Sequence, residues 1–93
     1  MEKIHFKPGP ALTFKSVVSV RAKLYKALMD NTSTRFCLDL SDVAECDSAG
    51  LALLIEARKL CTQNNKTFEV IGISSEALSL AEFCGVKSIL EMA

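Results

Sequence analysis

The side chains best equipped for chemistry fall between positions 39 and 48: Asp39, Asp42, Glu45 and Asp47, followed by the hydroxyl of Ser48. A pair such as Glu45 and Asp47 suits general acid–base work when a pocket shifts one pKa and a second group shares the proton. The rest of the sequence does not offer that group, since the one histidine is His5 and no lysine lies between Arg35 and Arg58. Ser48 as a nucleophile lacks an activating base. There is no Gly-x-x-x-x-Gly-Lys-Ser/Thr run, and carboxylates beside a helix N-terminus repel the anion its dipole attracts. No catalytic residue is therefore assigned. Asp39 and Asp42 read as strand-end and turn residues. Asp47 or Ser48 reads as the N-cap of the helix that follows, with Gly50 allowing another backbone to come close.

Cys37, Cys46, Cys61 and Cys84 are widely spaced, form no Cys-x-x-Cys pair, and have only the sequence-distant His5 to assist them. That pattern points away from zinc and from a secreted disulfide framework, and toward reduced thiols acting as small hydrophobes in a cytosolic protein. No metal or cofactor is expected. Lysine plus arginine equals aspartate plus glutamate at 11 each, so no global field draws in nucleic acid or anionic lipid. No apolar run approaches the roughly 18 residues of a membrane span. Any association with a membrane is expected to come through a partner and not by direct insertion.

These residues need a frame to hold them. Phe36 to Leu40 is a short, nearly continuous apolar run, as in a strand buried on both faces of a parallel sheet. Before it, Ile4 and Phe6 alternate with polar residues, and Pro8-Gly9-Pro10 predicts a reversal into a second arm, Ala11 to Phe14. Ser16 is a plausible N-cap for an amphipathic helix to about Met29. After the acidic loop, a helix runs from about Ser48 to Gln63-Asn64-Asn65, where an asparagine can take a left-handed cap. Thr67 to Ile73 reads as a strand, Ser74 or Ser75 caps a helix to about Cys84, and Gly85 stands at its C′ position. Val86 to Leu90 reads as a last short strand or turn. The order β, β, α, β, α, β, α, β predicts one α/β domain over residues 1–93: a mostly parallel sheet of four to five strands with an opening hairpin and helices packed against it.

The central helix is greasier than one buried face requires. From Ala49 to Ile55 it has no polar residue; Leu51, Leu54, Ile55 and Arg58 share one side, and Leu53, Ala57 and Leu60 another. Either neighbouring helices cover the second stripe or it docks on another protein. Leu78, Leu80 and Phe83 show a similar excess.

Leu38-Asp39-Leu40-Ser41-Asp42-Val43, then Asp47-Ser48-Ala49-Gly50-Leu51 before an apolar helix, then Val70-Ile71-Gly72 and Phe83-Cys84-Gly85-Val86, together resemble the STAS domain. This is the SpoIIAA-like fold of anti-sigma factor antagonists, and the likeness covers nearly the whole chain. In sporulation-type antagonists the pattern is Asp-Ser-Ser-Gly, and the serine beside the glycine is phosphorylated. Ala49 stands at that position here, which leaves Ser48, one place earlier, as the hydroxyl open to phosphorylation. The run from Asp47 to Glu56 is also similar to the MlaB-like branch, small subunits of a phospholipid-transporting ABC system that maintains outer-membrane lipid asymmetry. There a Thr or Ser occupies the Ser48 position, and loop and helix bind the ATPase. The resemblance implies a non-enzymatic, cytoplasmic bacterial docking domain, held at the inner membrane through its partner, an ABC transporter ATPase subunit. Its contact residues would be Asp47, Ser48, Ala49, Gly50, Leu51, Leu53 and Leu54. The alternative is an anti-sigma factor antagonist that binds an anti-sigma factor with serine kinase activity.

Overall fold

The computed structural model describes residues 3–30 and 32–88 of the chain. At its centre lies β3 (Arg35–Asp39), flanked by β1 (Ile4–Phe6) on one side and β5 (Thr67–Ile71) on the other, all parallel. The register sets Ile4 beside Phe36 and Phe36 beside Phe68. Phe6, Phe36 and Phe68 form a ladder of stacked rings, with centroids 6.3 and 6.2 Å apart. Because side chains alternate along a strand, Cys37 points the other way. It is fully buried but lies outside the main core cluster.

The expected hairpin does not form. β1 pairs with β3, whereas β2 (Ala11–Leu12) pairs with β4 (Glu45–Cys46), again in parallel. The first two strands thus run alongside the third and fourth in the same order, and Pro8-Gly9-Pro10 is a bend between two sheets. Pro10 has no N–H to give an antiparallel arm; its carbonyl instead accepts from Ala44 and Glu45 at 2.8 and 3.2 Å. The described residues hold five strands, divided three and two; β4 falls in the stretch expected to be loop, and takes the place in the count of the strand expected after α3.

Helix α1 (Val17–Met29) and helix α2 (Ser48–Gln63) cover the face of the three-stranded sheet that carries Ile4, Phe36, Leu38 and Phe68. Val20, Leu24 and Leu28 are the inward stripe of α1. Each such apolar side chain contributes about 1.5–3 kcal/mol on burial. Ser16 ends the approach to α1 without capping it: its hydroxyl accepts from the N–H of Thr13 at 3.0 Å and donates to the carbonyl of Ala11 at 2.8 Å. At the far end of α2, Asn65 takes the left-handed conformation, with φ 58°.

β5 stops at Ile71 and does not reach Ile73, because Gly72 turns the chain at φ +71° against the backbone of Ser41. Helix α3 (Ser75–Phe83) follows, capped by the Ser74 hydroxyl on the N–H of Ala77. Gly85 closes it, and the N–H of Val86 reaches back to the carbonyl of Ala81 at 2.9 Å. The expected closing strand meets a helical Lys87 and Ser88 instead; its remaining positions, 89 and 90, lie outside the described residues.

Candidate functional site

Asp47 organises the turn between β4 and α2. With extended backbone at φ −114° and ψ −173°, it is the N-cap of α2, and its Oδ1 accepts from the N–H groups of Ala49 at 2.9 Å and Gly50 at 3.1 Å. Its second oxygen, Oδ2, accepts from the N–H of Phe14 at 3.0 Å, and its own N–H donates to the carbonyl of Leu12 at 3.0 Å. One carboxylate therefore fastens the segment before α1 to the first turn of α2. These donors favour the charged form and hold the Asp47 carboxyl below the ordinary carboxylate range, the Phe14 N–H contributing most. An ionised carboxylate with both oxygens on amides is a cap and a clamp, and a poor proton acceptor.

Ser48, the first residue of α2, is exposed, and Ala49 is half-buried. Gly50 is buried because it has no room for a side chain: a Cβ there would meet the backbone of Leu12. The Asp-Ser-x-Gly-Leu sequence is thus first an architectural device, in which Asp47 caps, Gly50 admits β2, and Leu51 enters the core. Ser48 alone in it presents a side chain outward.

The exposed apolar stripe that α2 could have offered to a partner is not there. Leu51, Leu53 and Leu54 are 2%, 3% and 1% exposed, and Ala57 is fully buried. The physical reason is that α2 is the central helix, with α1 and α3 beside it and β2, β4 and β5 beneath. At Leu51, Leu53, Leu54 and Ala57 the apolar sides are therefore filled by the domain itself, and the three leucines are core residues, while Ile55 and Leu60 stay half-buried. The outer face of α2 carries Ala52, Ile55, Glu56, Lys59, Leu60 and Gln63. Arg21 of α1 grips Glu56 through three bonds of 2.8 to 3.1 Å and lies over the Tyr25 ring. Its guanidinium lowers the Glu56 pKa, chiefly through those hydrogen bonds.

A second polar cluster stands at the carboxyl ends of β1 and β3. Asp39 is buried, yet its Oδ1 accepts from the hydroxyl and N–H of Ser41 at 2.6 and 2.9 Å, while Oδ2 lies 3.1 Å from His5 Nε2 and 3.9 Å from Lys7 Nζ. The Ser41 hydroxyl is the main cause of an Asp39 pKa far below the usual value. Lys7 also reaches Asp42 at 3.4 Å. Asp39 and Asp42 are the strand-end and turn residues expected. His5, remote in sequence, is brought to Asp39 and into register with Cys37 by the parallel pairing of β1 with β3. Only the pairing reveals this, and a hairpin would have hidden it. Among the described residues no group of three His, Cys, Asp or Glu could hold a metal ion, and no helix is long and apolar enough to cross a membrane.

Phe14 belongs to this turn although its sequence context predicts a strand. Read as a strand residue, it sits instead in the turn before α1, with its N–H on Asp47 and its ring 69% exposed. The signal was available in its position two residues ahead of Ser16, outside the apolar period of the helix. Phe14 and Asp47 also border a shallow open groove of about 580 Å³ that extends to Ser74, Glu76 and Ala77 at the start of α3.

A family model described as Mlab, STAS domain matches residues 10–91. No curated protein sequence matches. Among solved structures, the anti-sigma factor antagonist SpoIIAA in its unphosphorylated form is similar at TM-score 0.75 and 17% identity, over 94% of this chain and 76% of that one. A sulfate transporter family protein from Wolinella succinogenes is similar at TM-score 0.75 and 18% identity, over 95% and 70%. At these identities the structural likeness establishes the fold: parallel α/β with three helices.

Proposed function

This chain belongs to the MlaB-type STAS domain family, and from that premise we propose that it is a non-enzymatic docking subunit which binds the ATPase of a phospholipid-transporting ABC system. In this reading Asp47 and Ala49 shape the contact and Ser48 makes it, while Gly50, Leu51, Leu53 and Leu54 hold the turn from behind. The domain works in the cytoplasm and meets the inner membrane only through its partner. STAS domains are binding modules in general.

The observation that carries the reading is the clamp at Asp47. It fixes an exposed hydroxyl at the head of the central helix by three backbone donors from two separate segments. A turn held this firmly loses little entropy when a partner closes over it. An isolated Ser48 on a mobile loop would not have that advantage.

The test is affinity purification of the tagged chain from its own cells, beside the Ser48→Asp variant. Retention of an ABC ATPase by the wild type, lost in Ser48→Asp, is the expected result. The substitution sets an unpaired charge in the contact, which costs a few kcal/mol. Retention of a serine kinase with no ABC subunit overturns the transporter reading in favour of an anti-sigma factor antagonist. The exposure of Ser48 is the feature that would serve that alternative.

A further inference from the structure

The three-stranded sheet has two edges of opposite character. β1 is three residues long and is bracketed by Lys3, Lys7 and Pro8, the residue types with which natural sheets blunt an edge. Lys23 and Lys26 of α1 stand beside it, in a groove shared with Ile4. β5 is five residues, Thr-Phe-Glu-Val-Ile, with neither lysine nor proline, and four of the five are β-branched or aromatic. The lysine that precedes it, Lys66, is turned onto the carbonyl of Ser33. Among the described residues β5 pairs with β3 alone, and it packs chiefly on β3 and α2. The N–H of Thr67 donates to the carbonyl of Thr34, and the carbonyl of Ile71 accepts from Leu40. Bonding direction alternates along a strand, so Thr67, Glu69 and Ile71 turn their backbone groups to β3. Those of Phe68 and Val70 point outward, where no strand among the described residues meets them.

We infer that this edge is completed by a second copy of the chain, β5 pairing antiparallel with β5 about a two-fold axis at Phe68 to give a six-stranded sheet. Self-complementarity selects a copy as the occupant. The axis sets Phe68 opposite Phe68 of the copy on the helix-covered face, where it extends the row of rings begun by Phe6 and Phe36. On the open face Thr67 lies opposite Glu69 of the copy, so no like charges meet across the join. An axis at Glu69 would instead set two carboxylates against each other, which is destabilising. Each Glu69 is also matched within its own sheet by Lys3 at 3.1 Å. An axis perpendicular to the sheet keeps the helices of both copies on one face, so the contact is isologous and closes at two chains. A five-residue join buries little area, and the association is accordingly weak and concentration-dependent.

The test uses the wild-type chain across a range of concentrations. Sedimentation equilibrium is expected to show the mass rising from one chain toward two, with a Kd on the order of 100 μM. Amide exchange at Phe68 and Val70 should slow about 5-fold between about 10 μM and about 1 mM protein, with little change at Glu69, whose N–H already faces β3. In a Cys84→Ser background, Thr67→Cys mixed with Glu69→Cys should form a disulfide-linked pair under mild oxidation faster than Thr67→Cys alone, because only the mixture sets two thiols directly opposite. Equal rates overturn this pairing. A one-chain mass at about 1 mM overturns the second copy, and protection of Phe68 and Val70 at every concentration would show that the chain covers its own edge. Protection that arises only when an ABC ATPase is added gives the edge to a strand of that partner and likewise overturns the inference.

Discussion

A methyl group on Gly50 would lie 2.1 Å from the carbonyl oxygen of Leu12. The obstacle is backbone, held in turn by the N–H of Asp47, and it cannot rotate aside as a side chain would. Gly50→Ala is therefore expected to destabilise the domain by about 2–3 kcal/mol, although alanine is the better helix former. Urea unfolding measures this; an unchanged midpoint would show that β2 has freedom to retreat.

Asp47→Ala removes the cap of α2 and the anchor of Phe14 together. The expected consequence is a melting temperature lower by about 5–10 °C. Asp47→Asn keeps one acceptor oxygen and should fall between. Faster amide exchange at Phe14, Ala49 and Gly50 in Asp47→Ala would locate the loss at those three bonds, and unchanged exchange there would contradict the clamp.

Leu53 separates core from contact. Leu53→Ala is expected to cost about 2–5 kcal/mol of stability, with partner affinity near normal for the fraction that remains folded. A stable variant with poor affinity would return this leucine to the surface.

Acid should unfold the domain by protonating Asp39 and Asp47. Both carboxyls titrate below their ordinary value in the folded state, so the native form binds fewer protons than the unfolded one. The stability they confer is complete above the ordinary aspartate value, near pH 4, and is lost as pH falls from there through the folded pKa values. Asp39→Asn should flatten the stability profile below about pH 4, and an unaltered acid limb would show that Asp39 is not its source.

Thiol labelling offers an inexpensive check on packing. Cys84 is exposed, whereas Cys37 and Cys61 are buried, and burial pushes the Cys61 thiol up to about 11. A thiol reagent near pH 8 should modify Cys84 at once and Cys61 only upon unfolding. Equal rates would be incompatible with the core described.

Much of this architecture could be read from residue order. Phe36 to Leu40 reads as the central strand because nothing polar interrupts it before Asp39, and Asp47, Ser74 and Gly85 mark helix ends by well-understood local chemistry. The opening pair of strands could not be read so, because a Pro-Gly-Pro bend looks alike whether the chain doubles back or moves on to another sheet. The α2 surface failed for a different reason. Periodicity counts apolar sides but not the elements available to cover them, and here α2 lies between α1 and α3 with Leu53 and Ala57 buried. The position of Phe14 ahead of Ser16 hints at its exposure, but its attachment to Asp47, thirty-odd residues later, could not be read from the sequence.

No two strands of the three-stranded sheet are neighbours along the chain. Ile4 meets Phe36, and Phe36 meets Phe68, each contact spanning more than thirty residues. Such long-range closure slows folding, because loop entropy must be surrendered before any ladder can repay it. A ribosome must therefore release the polypeptide past Ile71 before the ladder can be completed. Until then α1 and α2 have only the β1–β3 and β2–β4 pairs to pack on, and a chaperone would find its client in that interval.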